Sequence, residues 1–329
     1  MIVLRLPAML RKSDLMRVPR PSHWILLGGL FVLLAAAALL WSTRGLGRTD
    51  PYEIHGSTAA IGARAAAHRD VSVLGFSLRC MDALRKGEAR QAIELCSLVL
   101  DLDPRNVAAL NLRGNAYVRL GLNTKALADF SSIIRLDPAN AEGYRLRAGV
   151  YALGHRNALA LADYDRAVAL APKEALAIEA RGHFYQTIGN YPAAIADLSV
   201  VIARVPLLAR AWNSRCWTRF LSNRELSQAL ADCDRSLQLD ATSANAHDSR
   251  GFVLYRLNRF GAAIVDFNKA IALNAKLASA RYGRGLSKLR LKDLSAARDS
   301  ARAKVIEPGI AERFAGYGIR PHASGPSGA

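Results

Sequence analysis

What the chain lacks narrows its chemistry first. Cysteine is scarce, at four among 329 residues, and no two cysteines stand two or four positions apart. The Cys-x-x-Cys spacing of redox pairs and zinc knuckles is therefore missing. Histidine is scattered singly at His23, His55, His68, His155, His183, His247 and His322, without a neighbouring ligand set. No phosphate-cradling glycine loop, serine elbow or paired-carboxylate constellation appears. No cofactor, metal or catalytic residue is expected, and an enzyme is disfavoured. Acidic side chains are outnumbered, 27 against 45 basic ones, for a net charge of +18. Such a balance points to an anionic contact, whether lipid, nucleic acid or an acidic protein.

Long apolar runs are absent except for one, Trp24 to Trp41, "WILLGGLFVLLAAAALLW", which carries no charge. At about 1.5 Å per residue it reaches roughly 27 Å, near the thickness of a hydrocarbon core. Arg5, Arg11, Lys12, Arg17 and Arg20 precede it against the single acid Asp14, with Arg44 and Arg48 after it. The run reads as a transmembrane helix with residues 1–23 cytoplasmic and the remainder extracytoplasmic. A cleaved signal peptide is the rival reading. Residues 42–72 read as a linker with one partial helix.

What is present is a repeat. Pro104, Pro138, Pro172 and Pro206 close similar strings, "LDLDPRN", "IRLDPAN", "VALAPKE" and "IARVPLL", at intervals of 34 residues. The phase continues through Ala241, Ala275 and Pro308, with one residue gained and later one lost. Units begin near residues 73, 107, 141, 175, 209, 244 and 278. Each holds two helical patterns around a break, as in "AALNLRGNAYVRL", "GLN", "TKALADFSSIIRL". Proline after the second pattern stops it.

The spacing, with "RGNAYVRLG", "KALADF" and "LDP", and with "RGHFYQTIGNYPAAIADL", resembles the tetratricopeptide repeat family over residues 73–310. That resemblance implies an all-α superhelix of about seven helical hairpins, here preceded by the transmembrane helix, with a concave groove. Residues 311–329 then form a short closing helix and a disordered tail. Two units place alanine where the family has its terminal proline, and the first unit is weak.

In register, Gly114, Ala148, Gly182, Gly251 and Gly285 share a slot on the first helix. Phe130, Tyr164, Leu198, Phe267 and Ser300 share one on the second. Small faces large, so the two slots should touch. Cys80 and Cys216 take the first slot, Cys96 and Cys233 the second. The cysteines could be metal ligands, a redox pair, catalytic thiols or staples. The register, together with export, favours disulfides Cys80–Cys96 and Cys216–Cys233 over reduced core thiols. Arginine precedes the small slot in all seven units (Arg79, Arg113, Arg147, Arg181, Arg215, Arg250, Arg284). Asp129, Asp163, Asp197, Asp232, Asp266 and Asp299 recur on the second helix, suggesting a salt-bridge ladder or, alternatively, an anion-binding stripe. Unit five stretches both spacings by one residue, which places the insertion in the turn "LSNRELS".

The family's groove is lined by outward first-helix residues. Carried over, these are Asn111, Asn115, Arg119, Arg145, Glu179, His183, Asn213, Trp217, Phe220, Asp248, Phe252, Tyr255, Arg256, Tyr282 and Arg290. The expected function is a membrane-anchored scaffold capturing a protein or peptide, with aromatic and arginine anchors in the last three units. Alternatives are a cytoplasm-facing adaptor and an envelope component binding anionic lipid or wall polymer. Nucleic acid is disfavoured.

Overall fold

The computed structural model describes residues 58–320, with side chains from Ser72 onward. The body that begins at Arg69 is a stack of helical hairpins. Units one to four are α1 (Thr58–Lys86) with α2 (Ala89–Leu102), α3 (Val107–Arg119) with α4 (Asn123–Leu136), α5 (Ala141–Leu153) with α6 (Asn157–Leu170), and α7 (Ala175–Thr187) with α8 (Tyr191–Arg204). Units five to seven are α9 (Ala209–Ser222) with α10 (Leu226–Leu239), α11 (Ala244–Arg256) with α12 (Phe260–Leu273), and α13 (Ala278–Arg290) with α14 (Ala296–Ile306). A final helix, α15 (Ile310–Gly316), follows. No strand occurs among the described residues.

Punctuation in the sequence sets these boundaries. Asn106, Asn140 and Ser243 each accept the backbone N–H three residues on, satisfying a donor that the first helical turn leaves free. Asp103, Asp137 and Asp240 accept the N–H two residues on, which shapes the link between units. The turn inside each hairpin places one residue at positive φ in the same slot: Gly87, Gly121, His155, Gly189, Asn223, Asn258 and Lys292. Unit five adds a second, Glu225, where the extra residue of "LSNRELS" lies.

Each second helix but the last, where Ser300 is half-buried, buries a stripe at i, i+3, i+4 and i+7. In α4 it is Ala126, Asp129, Phe130 and Ile133; in α10 it is Ala229, Asp232, Cys233 and Ser236. An aspartate in such a stripe would be costly without a partner. The arginine of the first helix supplies one. Arg113, Arg147, Arg181, Arg215 and Arg250 each grip their unit's aspartate with two bonds of 2.6–2.9 Å. Arg284 grips Asp299 in the same way. The remaining nitrogen reaches back to the second helix of the preceding unit: Ser97, Ser131, Asp165, Ser199, Asp234 and Asn268 in turn. The ladder thus joins units as well as closing hairpins, and its guanidinia are committed to structure rather than free as an anion stripe.

The small slot meets the large one. A Cβ on Gly114 would lie 2.4 Å from the Phe130 ring, and one on Gly251 would lie 2.6 Å from Phe267, so only glycine lets the helices approach this closely. Cys80 is bonded to Cys96 and Cys216 to Cys233, with Cα atoms 5.6 and 5.4 Å apart. These bonds tie α1 to α2 and α9 to α10 through the same pair of slots.

The single-pass membrane localisation, N-terminus cytoplasmic and repeats extracytoplasmic, is corrected here. Among the described residues no helix is long and apolar enough to cross a membrane. The longest, α1, has 29 residues but contains Arg64, Arg69, Asp70, Arg79, Asp82, Arg85 and Lys86. Charges of that number are too costly in hydrocarbon. The run Trp24–Trp41 that prompted the placement lies outside the described residues, as do the expected cytoplasmic segment 1–23 and the tail 321–329.

Candidate functional site

From unit three onward the first helices of successive units pack on one another, while second helices meet first helices of their own and the next unit, the last of them meeting α15 as well. The first helices therefore form the inner face of the stack. The fifteen expected groove residues all stand on them, but they fall into different environments.

Units two to four leave this face open. Asn115 donates to the Asn111 carbonyl and side-chain oxygens at 2.9 and 2.5 Å, and both residues are half-buried. Arg145 forks onto Glu142 of its own helix at 2.7 and 2.5 Å. His183 is half exposed, 4.0 Å from Glu179. Glu179 itself is buried and clamped by Arg210 of the next unit at 3.0 and 2.9 Å. Arg119 lies at the rim, giving Nη1 to the Leu84 carbonyl at 2.7 Å, a cation at the end of α1.

Units five to seven are covered by the chain's own end. After Pro308 breaks α14, residues 307–320 turn back across the inner face of three units. Phe314 stacks on Phe252 at 4.5 Å and tilts against Tyr282 at 5.4 Å. Tyr317 meets the edge of Trp217 at 6.0 Å, and its carbonyl accepts from Arg256. Trp217 in turn stacks on Phe220 at 4.6 Å. Ile310 and Phe314 have no exposed surface.

The aromatic anchors expected in these units are consequently core. Phe220 and Phe252 are 0% exposed, Tyr282 is 1% and Tyr255 is 8%. Arg256 is a helix cap like Arg119, in the same slot four units on, bonding the Phe220 carbonyl and Asn223. Its guanidinium lies 4.3 Å from the Phe220 ring centroid, and burial pulls its pKa down. Arg290 stands over the Phe260 ring at the exposed edge. The closing segment reaches further than the single exposed face expected of it. Its one sequence signal is the apolar set Ile310, Phe314, Tyr317 and Ile319.

Beneath this segment runs a row of unmet polar groups. Asn213 Oδ1, Asp248 Oδ1 and the Tyr282 hydroxyl lack a hydrogen-bond partner, and the three residues occupy one repeat slot in successive units. Burial pushes the Asp248 carboxyl up to about 7, against the opposing bond from Ser279 and the charge of Arg313.

Comparison with known proteins agrees with the geometry. The tetratricopeptide repeat model matches residues 80–141, 112–175 and 250–307. Among curated proteins none gives a significant match. A tetratricopeptide repeat protein from Parabacteroides merdae aligns with a TM-score of 0.60 at 20% identity, covering 75% of this chain and 99% of that one. The Cut9–Hcn1 hetero-tetramer of the APC/C aligns with a TM-score of 0.60 at 19% identity over 71% of this chain, which spans only 46% of that one. Pseudomonas aeruginosa pilF aligns with a TM-score of 0.54 at 18% identity, over 63% of this chain and 95% of that one. At these identities the likeness speaks for the fold alone. The 34-residue hairpins, their ladder and the matched segments make the described chain a stack of tetratricopeptide repeats.

Proposed function

We propose that the chain is a non-enzymatic scaffold that captures a protein or peptide segment on the inner face of units two to four. The observation that carries this reading is the contrast along one face. Half-buried Asn111, Asn115 and Arg145 and the more exposed His183 keep surface toward solvent on first helices, whereas the same face of units five to seven is filled by residues 307–320. Polar side chains spaced one unit apart suit an extended segment, whose backbone groups need partners wherever it is desolvated. The rigid, doubly tied stack supplies preorganisation, so that little ordering cost falls on the scaffold.

The test is a comparison of partner recovery by the full chain and by Asn115→Ala with Arg145→Glu, with helicity checked in both. Interface anchors of this kind are worth about 2 kcal/mol or more, so recovery should fall by more than about tenfold. Equal recovery from the two proteins would remove units two to four as the capture surface.

A further inference from the structure

Where the open face meets the C-terminal segment lies a cavity of about 290 Å³, walled by His183, Asn213, Trp217, Asp248 and Ser279 of the first helices and by Arg313 of α15. Two of these residues hold an acceptor oxygen that no donor reaches, Asn213 Oδ1 and Asp248 Oδ1. Asp248 is 8% exposed, and its other oxygen accepts from Ser279 Oγ at 2.6 Å. Arg313 gives Nε and Nη2 to Glu307 at 2.7 and 2.8 Å. Glu307 thus takes up two of its donors and offsets its charge.

We propose that this cavity binds a primary ammonium group presented by a partner segment lying on the open inner face. The proposal rests on the capture reading above and names the chemistry at one end of the surface. Unmet acceptors call for a ligand that only donates. An ammonium has three donors, close to what two oxygens and a solvent molecule can take up, whereas a guanidinium has five and would bury some of them unpaired. A buried carboxylate prefers a charged donor to a neutral one, and the Trp217 indole in the same wall adds cation–π attraction. The volume admits a side chain or chain end, not a folded element.

The site also carries a pH signature. Asp248 titrates near 7 when the cavity is empty. Of the other groups facing it, Arg313 stays charged and His183 is held below its ordinary value by burial. An ammonium needs the ionised carboxylate, so its affinity rises by about tenfold between pH 6 and pH 8, in step with the competent fraction.

The experiment uses the full chain with ¹⁵N-labelled tryptophan, the Trp217 indole resonance being assigned through Trp217→Phe. n-Butylammonium chloride, sodium butyrate and butanol are titrated separately. The expected result is a saturable Trp217 shift with butylammonium alone, about tenfold tighter at pH 8 than at pH 6. It is abolished in Asp248→Asn and tightened in Asn213→Asp, which places a second carboxylate in the wall. Should Asp248→Asn fail to fold, Asn213→Asp decides the matter. N-acetyl-lysine amide and glycylglycine amide then separate a lysine side chain from an amino terminus. No saturable shift with butylammonium, an equal one with butyrate or butanol, or binding of neither amide overturns the proposal. The probes need no partner protein, so their failure would leave capture on units two to four standing, and a failed partner recovery would leave the cavity result standing.

Discussion

Units two to four and units five to seven are built from the same slots, yet their inner faces meet different fates. In the first group the face presents asparagine, arginine and histidine to solvent. In the second it carries Trp217, Phe220, Phe252 and Tyr282, and the chain covers that aromatic surface with Phe314, Tyr317 and Ile319. Exposed apolar area of that size invites association. The rise in aromatic content toward the C-terminus therefore goes with cover by the chain's own end, and the proposed capture surface is the face where aromatics are fewer.

Phe314→Ala breaks the comparison most severely. It should cost about 3–5 kcal/mol, because a large side chain without exposed surface leaves a cavity and loosens residues 307–320. A lower urea midpoint should come with proteolytic cleavage in that segment. Intact resistance would mean that the segment is held by something other than its aromatic contacts.

A smaller contrast lies in the ladder. Asp232 is gripped by Arg215 and also by Arg219, while Asp129 has Arg113 alone. Asp232→Ala takes the shared carboxylate from buried Arg219 and half-buried Arg215, leaving them only Glu225 and Ser199, and should cost about 3–5 kcal/mol. Asp129→Ala should cost less, about 2 kcal/mol, as the loss of one charged pair of hydrogen bonds. Equal midpoints for the two variants would show that the extra arginine adds nothing.

The least change expected is in the turns. His155 holds φ of 54° in the slot that Gly121 and Gly189 fill in neighbouring units. His155→Gly should gain about 0.5–1 kcal/mol, and Gly189→Ala should lose about 1 kcal/mol. Thermal unfolding resolves both.

These outcomes also mark what the sequence could convey. Hairpin contacts recur every 34 residues, so aligning units exposed the arginine–aspartate pairs, the small-to-large contact and the bonded cysteine slots. The inserted residue of unit five was legible because both spacings stretched together. Three features escaped. The backward reach of each arginine uses Ser97, Ser131, Asp165 and their equivalents, a slot whose residue type varies. Arg119 and Arg256 read as anchors because capping a carbonyl leaves no mark on the residue that is capped. The return of residues 307–320 happens once, joining Tyr317 to Trp217 across a hundred positions, and a contact without a period cannot be found by aligning repeats. The apolar run near the N-terminus was legible as composition, but no membrane-crossing helix stands among the described residues.

The most direct test of the divided inner face is hydroxyl-radical footprinting of the full chain, which reads side-chain accessibility residue by residue. Slow modification is expected at Phe220, Phe252, Tyr282 and Phe314, with faster modification at the half-buried Tyr117 and Tyr144 of units two and three. Equal rates at Phe252, Tyr282 and Tyr144 would contradict the account, because the C-terminal segment would then not lie across units five to seven.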